Sequence, residues 1–298
     1  MKRCLACQNN FDATDWVCPH CGVSPTRRTE FLAFAPDLAE QNDGFNPKIF
    51  QLMAAVEPTH FWFVVRNRIL TGIMRKYFPD SGKYLEIGCG TGFVLSAVRT
   101  TFPLAHLSGS DIFTEGLVFT SERVSDAFLF QMNACHIPFF EEFDLIGAFD
   151  VLEHIDQDEA ALAQIFQACK PGGGMILTVP QHRWLWSDAD DFAHHKRRYT
   201  RTELVEKVMR AGFQIEYQTS FVSLLLPLML ASRLLRKFGS GMNEQMEGVG
   251  LKIGKLTNAV LRLIMQMEWQ LIKVGLSFPF GGSLLLVARK QPIQKNNL

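Results

Sequence analysis

The sequence predicts an α/β protein built on one doubly wound, mostly parallel sheet, with a small metal-binding segment ahead of it. Three observations predict this. Short apolar runs alternate five times with helical patterns between Lys83 and Pro180, the mark of strand-helix-strand units. The first run, Lys83-Tyr84-Leu85-Glu86-Ile87, passes straight into Gly88, Gly90 and Gly92, a spacing that lets backbone approach a ligand at the N-terminus of the next helix. Four cysteines are paired as Cys4-x-x-Cys7 and Cys18-x-x-Cys21.

With 298 residues, 47% hydrophobic and 20% charged, the chain is long enough for one full core and accessory segments. Its formal net charge is zero, so nothing global draws it to nucleic acid. The N-terminus turns polar at once, without the apolar core of a secretory signal, and the expected location is the cytosol. Seven cysteines there read as thiols or metal ligands before disulfides.

Taken in order, residues 1–28 form the first segment. Two Cys-x-x-Cys turns can close a tetrahedral four-thiolate site that staples a piece too small to own a core. Cys4, Cys7, Cys18 and Cys21 are the expected ligands of a structural zinc, with iron as the alternative, and the pair resembles a zinc ribbon. Residues 29–81 read as a linker, running from Ser24 to Asn46, followed by two helices that begin near Pro47 and at Phe61.

The core spans residues 82–220. Its glycine loop lacks the Gly-Lys-Ser/Thr of a phosphate loop, and its third glycine arrives one residue early for a dinucleotide loop. Glu86-x-Gly88-x-Gly90-x-Gly92 instead resembles motif I of the class I S-adenosylmethionine-dependent methyltransferases. Asp111 closes the next strand nineteen residues beyond Gly92, the distance at which an acidic side chain meets ribose hydroxyls. Asn133-Ala134 follows the third strand, where the family commonly carries Asp-Ala beside the adenine. The fourth strand ends in Phe149 and Asp150-Val151-Leu152-Glu153-His154-Ile155, similar to the stretch that lies along the cofactor's methionine end.

The resemblance implies a seven-stranded Rossmann-like sheet with S-adenosylmethionine held by Glu86, Gly88, Cys89, Gly90, Gly92, Asp111, Ile112, Asn133, Ala134, Phe149, Asp150 and His154. Trp62 and Arg66 belong to an aromatic entry segment that related enzymes fold over the cofactor, with plain packing on the sheet as the alternative. The polar loop from Gln181 to Thr200 gathers His194, His195 and Tyr199 above the strand ends. These are candidate proton acceptors for a substrate hydroxyl, weighed evenly against a solvated basic loop.

The last two strands of such a sheet should pair as a hairpin, which makes residues 221–281 an apolar helical insertion and 282–298 the final strand and tail. In the insertion Leu256, Val260, Leu263, Ile264, Met267, Leu271 and Val274 recur at helical spacing, with Lys252, Lys255, Arg262 and Lys273 off that face. The favoured reading packs this face on the core. The alternative lays residues 221–276 on a membrane surface.

The expected activity is methyl transfer, chiefly O-methylation of a small-molecule, sugar-derived or lipid-type acceptor. The alternatives are a ribosomal RNA methyltransferase with a zinc knuckle and a non-catalytic member whose knuckle recruits a protein partner.

Overall fold

A computed structural model of the chain describes residues 1–40, 49–238 and 253–292. Parts of the expected linker (41–48), insertion (239–252) and tail (293–298) lie outside the described residues.

Two short strands, β1 (Lys2–Arg3) and β2 (Asn10–Phe11), frame the cysteine segment. Next come β3 (Thr26–Arg28), β4 (Phe31–Ala33), α1 (Pro36–Glu40), α2 (Ile49–Val56) and α3 (Phe61–Tyr77). The core follows as β5 (Lys83–Ile87), α4 (Phe93–Thr101), β6 (His106–Asp111), α5 (Thr114–Arg123), β7 (Phe128–Gln131), β8 (Phe143–Phe149), α6 (Asp158–Ala168) and β9 (Cys169–Pro180). The chain ends with α7 (Asp188–Phe192), α8 (Arg201–Arg210), β10 (Gln214–Phe221), α9 (Leu226–Phe238), α10 (Lys255–Lys273) and β11 (Ser283–Arg289).

The sheet has nine strands in the order β10-β11-β9-β8-β5-β6-β7-β4-β3. The expected seven are present, and β10 and β11 form the expected antiparallel hairpin. Two strands are additional. Residues 26–33, read from sequence as linker, form a hairpin whose second strand pairs parallel with β7, Leu32 opposite Phe130. A three-residue strand is too short to show a period, so only the open edge of β7 reveals it.

The cysteine segment docks beside this edge. Arg3 donates its N–H to Pro138 O, and Phe140 donates to Met1 O, both at 3.0 Å. Trp16 packs edge-on against Phe34 and Phe139, with ring centroids 4.7 and 5.4 Å away, so aromatic packing fixes the segment to the sheet.

A second correction concerns α10. Its packed side is Met265, Glu268 and Ile272, with Trp269 lying over Gly72 of α3. Glu268 is fully buried and accepts the Ser223 and Leu224 N–H groups at 2.8 Å. Apart from partly covered Ile264, the apolar face expected to pack is the exposed one. Two backbone donors and a glycine notch hold the helix by a face that hydropathy alone would not select.

Candidate active site

The loop after β5 is dictated by backbone geometry. Gly88, Gly90 and Gly92 all have positive φ, between 53° and 73°, where a side chain is strained. A Cβ on Gly88 would stand 2.5 Å from Val151 Cγ2, and one on Gly92 2.7 Å from Thr120 Cγ2. Gly92 then caps α4, whose first N–H groups lack helical partners. Cys89 contributes backbone only, its side chain being buried in the core beneath the loop.

Asp111 ties this loop to its neighbour. Its two carboxylate oxygens accept the Gly90 N–H at 2.8 Å and the Phe113 N–H at 2.9 Å. Burial raises its pKa to about 6 against the pull of those N–H groups. Each oxygen keeps a lone pair for a ligand hydroxyl. Ile112 lies beside it, half-buried. Asn133 accepts the Cys135 N–H on its side-chain oxygen at 2.9 Å, which keeps one lone pair there and both amide N–H donors, and Ala134 is buried next to it.

Acidic residues stand at and just beyond the carboxyl ends of β5 and β8. Glu86, at the tip of β5, is 2% exposed, and burial pushes its pKa up to about 8 in spite of Arg66. Arg66 enters from α3, donates to Asp150 Oδ2 at 2.6 Å and to Phe149 O at 3.1 Å, and lies 4.8 Å over the Trp62 ring. Asp150 itself has φ of 59°. Glu153 is fully buried, and neither of its oxygens has a hydrogen-bond partner among the described residues. Burial and the nearby Asp150 hold its pKa well above the usual carboxylate range.

His195 and His154 meet beside that carboxyl, rings 4.8 Å apart. Nδ1 of His195 lies 2.9 Å from Asp190 Oδ1, and its Nε2 lies 3.9 Å from Glu153. Burial would raise Asp190, yet bonds from His195 and Arg198 hold it well below the ordinary range. An ionised Asp190 puts the His195 proton on Nδ1 and leaves Nε2 as acceptor. His154 is driven down to about 4, first by burial and then by His195, and is neutral near pH 7.

The other two candidate bases fare differently. His194 is exposed, in a left-handed turn with φ of 54°. Tyr199 is fully buried, and its hydroxyl donates to Asp158 Oδ2 at 2.7 Å, with Leu152 O 3.2 Å away. Burial and Asp158 push its pKa well above the usual phenol value. Its hydroxyl ties the loop to Asp158 and Leu152.

Sequence reading missed the latch over the glycine loop. Glu57, at the end of α2, accepts from the Thr91 hydroxyl at 2.7 Å and from Arg123 at 2.6 Å. Phe50 of the same helix lies against Gly90, its Cε1 3.7 Å from a Cβ built there. Asp190 was missed too, although Ser187-x-x-Asp190 is a capping-box spacing.

These residues suit S-adenosylmethionine: a carboxylate for ribose hydroxyls at Asp111, and the buried Glu86 and Glu153 carboxyls for the ammonium of its amino-acid end. The family model for the methyltransferase domain matches residues 60–218, more than half of the 298 residues. The chain belongs to that family. Its similarity to individual methyltransferases is distant. It is 28% identical to trans-aconitate 2-methyltransferase of Variovorax paradoxus over 113 residues, covering 37% of this chain and 43% of that protein. It is 25% identical to a ubiquinone/menaquinone biosynthesis C-methyltransferase of Desulfotalea psychrophila, covering 33% and 41%. The chain thus spans less than half the length of these curated relatives. Among solved structures it resembles phosphoethanolamine N-methyltransferase 2 of Haemonchus contortus, in complex with phosphomonomethylethanolamine and S-adenosylhomocysteine. The TM-score is 0.55 at 19% identity, covering 86% of this chain and 60% of that one, a likeness of fold. The family's match takes in the glycine loop, Asp111 and the loop that carries His195.

Proposed function

We propose that the protein transfers the methyl group of S-adenosylmethionine to an oxygen of a small-molecule, sugar-derived or lipid-type acceptor. The observation that carries the oxygen assignment is the Asp190-His195 pair, in which Nδ1 faces the Asp190 carboxylate at 2.9 Å and Nε2 is turned toward Glu153, just beyond the end of β8. An alcohol or phenol needs such a group to take its proton as the new bond forms, an ammonium must lose one before it can attack, and a carboxylate needs none.

When bound, the donor supplies an electrophilic methyl on a sulfonium. Everything else falls to the protein. Asp111 and the glycine loop would hold the ribose and adenosyl part, and Glu86 would pair with the ammonium. His195 Nε2 would accept the acceptor's proton, with the charge balanced by Asp190 through Nδ1. Alignment of this kind supplies most of the rate in a displacement of the in-line type.

The cysteine segment holds a structural zinc in this reading. The Cys4 and Cys21 sulfurs are 3.5 Å apart, those of Cys7 and Cys18 3.7 Å apart, and all four ligand atoms lie within 4.8 Å of one another. A tetrahedron with Zn–S of about 2.3 Å separates its sulfurs by about 3.8 Å.

Calorimetric titration with S-adenosylmethionine and S-adenosylhomocysteine tests the donor site. Radiolabelled donor offered to hydroxyl, amine and carboxylate acceptors tests the oxygen assignment. Uptake of neither ligand at millimolar concentration refutes the first, and transfer to amines alone refutes the second.

A further inference from the structure

The outer face of α10 carries a run of exposed aliphatic side chains. Leu256, Val260, Leu263, Met267, Leu271 and Val274 fall one above another on the helix, and their exposures run from 38% to 81%. Single exposed aliphatics are ordinary, but a continuous stripe of six marks an interaction site. The helix is 19 residues long, and no described helix is long and apolar enough to cross a membrane.

Charge along this stripe has one sign. Glu268 is the sole acid of α10, and it is fully buried on backbone donors. The neighbouring α3 has no acid at all. Its exposed Arg68, Arg75 and Lys76 face Lys273 of α10 across a groove of about 510 Å³ floored by Trp269. A second hollow, of about 350 Å³, sets Arg68 directly beside Leu263 and Met267. Glu216, near the end of α3, is engaged by Arg289. On a chain of zero net charge, this is a local concentration of cations with no competing anion lining either hollow.

We propose that the outer face of α10, together with the cationic groove it forms with α3, docks the protein on bilayers containing anionic phospholipid. The aliphatic stripe enters the acyl boundary, and the four cations meet headgroup phosphates. A protein partner for an apolar stripe would commonly be matched by mixed charges at its rim, whereas the described residues that line both hollows include four cations and no acid. Docking also orients the site. Asn258 Oδ1 accepts the Phe61 N–H, and Arg262 donates to Thr59 O, so the first turns of α10 adjoin the start of α3, where Trp62 and Arg66 enter the cleft. An acceptor drawn from the bilayer would reach the site at that point, a step that rests on the methyl-transfer reading.

Flotation of the full chain with vesicles of phosphatidylcholine, alone or mixed with phosphatidylglycerol, tests the docking. Binding is expected only to the anionic vesicles and should weaken with added salt. Arg75→Gln combined with Lys273→Gln should reduce it about twenty-five-fold, a factor of roughly five per cation. Leu263→Glu combined with Met267→Glu should abolish it with the thermal midpoint unchanged, since both side chains are exposed. Equal flotation with neutral vesicles, parent-like flotation of the Glu variant, or self-association in sedimentation velocity that the Glu variant removes would each overturn it, the last by assigning the stripe to a second copy. Donor titration without vesicles reports on the methyl-transfer reading independently.

Discussion

His195 Nδ1 sits 2.9 Å from Asp190 Oδ1, and the same Asp190 binds Arg198 at 2.7 and 3.0 Å. One buried carboxylate therefore both orients the imidazole and anchors its loop. His195→Gln should lower turnover on a hydroxyl acceptor by about a hundred- to ten-thousandfold, the range for loss of a general base. Donor affinity should be unchanged, which calorimetry on the variant would check. Asp190→Asn is the poorer probe, because breaking a buried ion pair costs about 3–5 kcal/mol of stability. Parent-like turnover in His195→Gln would remove the base assignment.

Glu86 ties donor affinity to pH. Its folded pKa is raised to about 8, so in the free protein it is mostly protonated at pH 7 and fully ionised only above about 8. A cationic amino group binds the ionised form. Affinity for S-adenosylmethionine should accordingly rise with pH up to about 8 and level off beyond it, with proton release on binding below that point. The same shift acts oppositely on the empty protein: between 4.5 and about 8 the folded state binds the extra proton, so this group's stabilising contribution declines as pH climbs. Glu86→Gln should flatten the affinity profile, and calorimetry in buffers of different ionisation enthalpy measures the released proton.

Much of the fold and half of the site were legible because they depend on local chemistry. A strand running into Gly88, Gly90 and Gly92, and an acid at the next strand tip, are fixed by contacts within a short stretch of chain. What was not legible depends on pairings remote in sequence. Glu57 meets Thr91 and Arg123 across 34 and 66 residues, and beside Pro58 it reads only as a helix end. The α10 stripe shows a second limit. Periodicity locates an apolar face, but Trp269 over Gly72 and Glu268 on two backbone N–H groups decide which way the helix turns.

Tyr199 shows how burial separates anchor from base. Tyr199→Phe removes the donor to Asp158, and a hydrogen bond to a charged group is worth about 1.5–3 kcal/mol. Asp158 keeps Lys207 and Arg197 at 2.5 and 3.0 Å, so the loss should stay within that range. Urea denaturation should show it as a lower midpoint with unchanged slope. Turnover per folded molecule should match the parent, and a large fall in kcat without a change in stability would return Tyr199 to the chemistry.

The cysteine segment gives the last prediction. Its own core is only Cys4, Phe11 and Cys18, with Cys7 and Ala13 packed alongside, too little to fold without a cross-link. Native mass spectrometry should therefore find one zinc per chain, and Cys18→Ser or a strong chelator should release it. Metal loss should free Trp16 from Phe34 and Phe139, so tryptophan emission should shift to longer wavelength. The main sheet has its own large core and the donor residues lie on other strands, so the metal-free protein should still bind S-adenosylmethionine. A chelated protein with unaltered emission and thermal midpoint would show that aromatic docking on the β4 edge, and not the metal, holds the segment together.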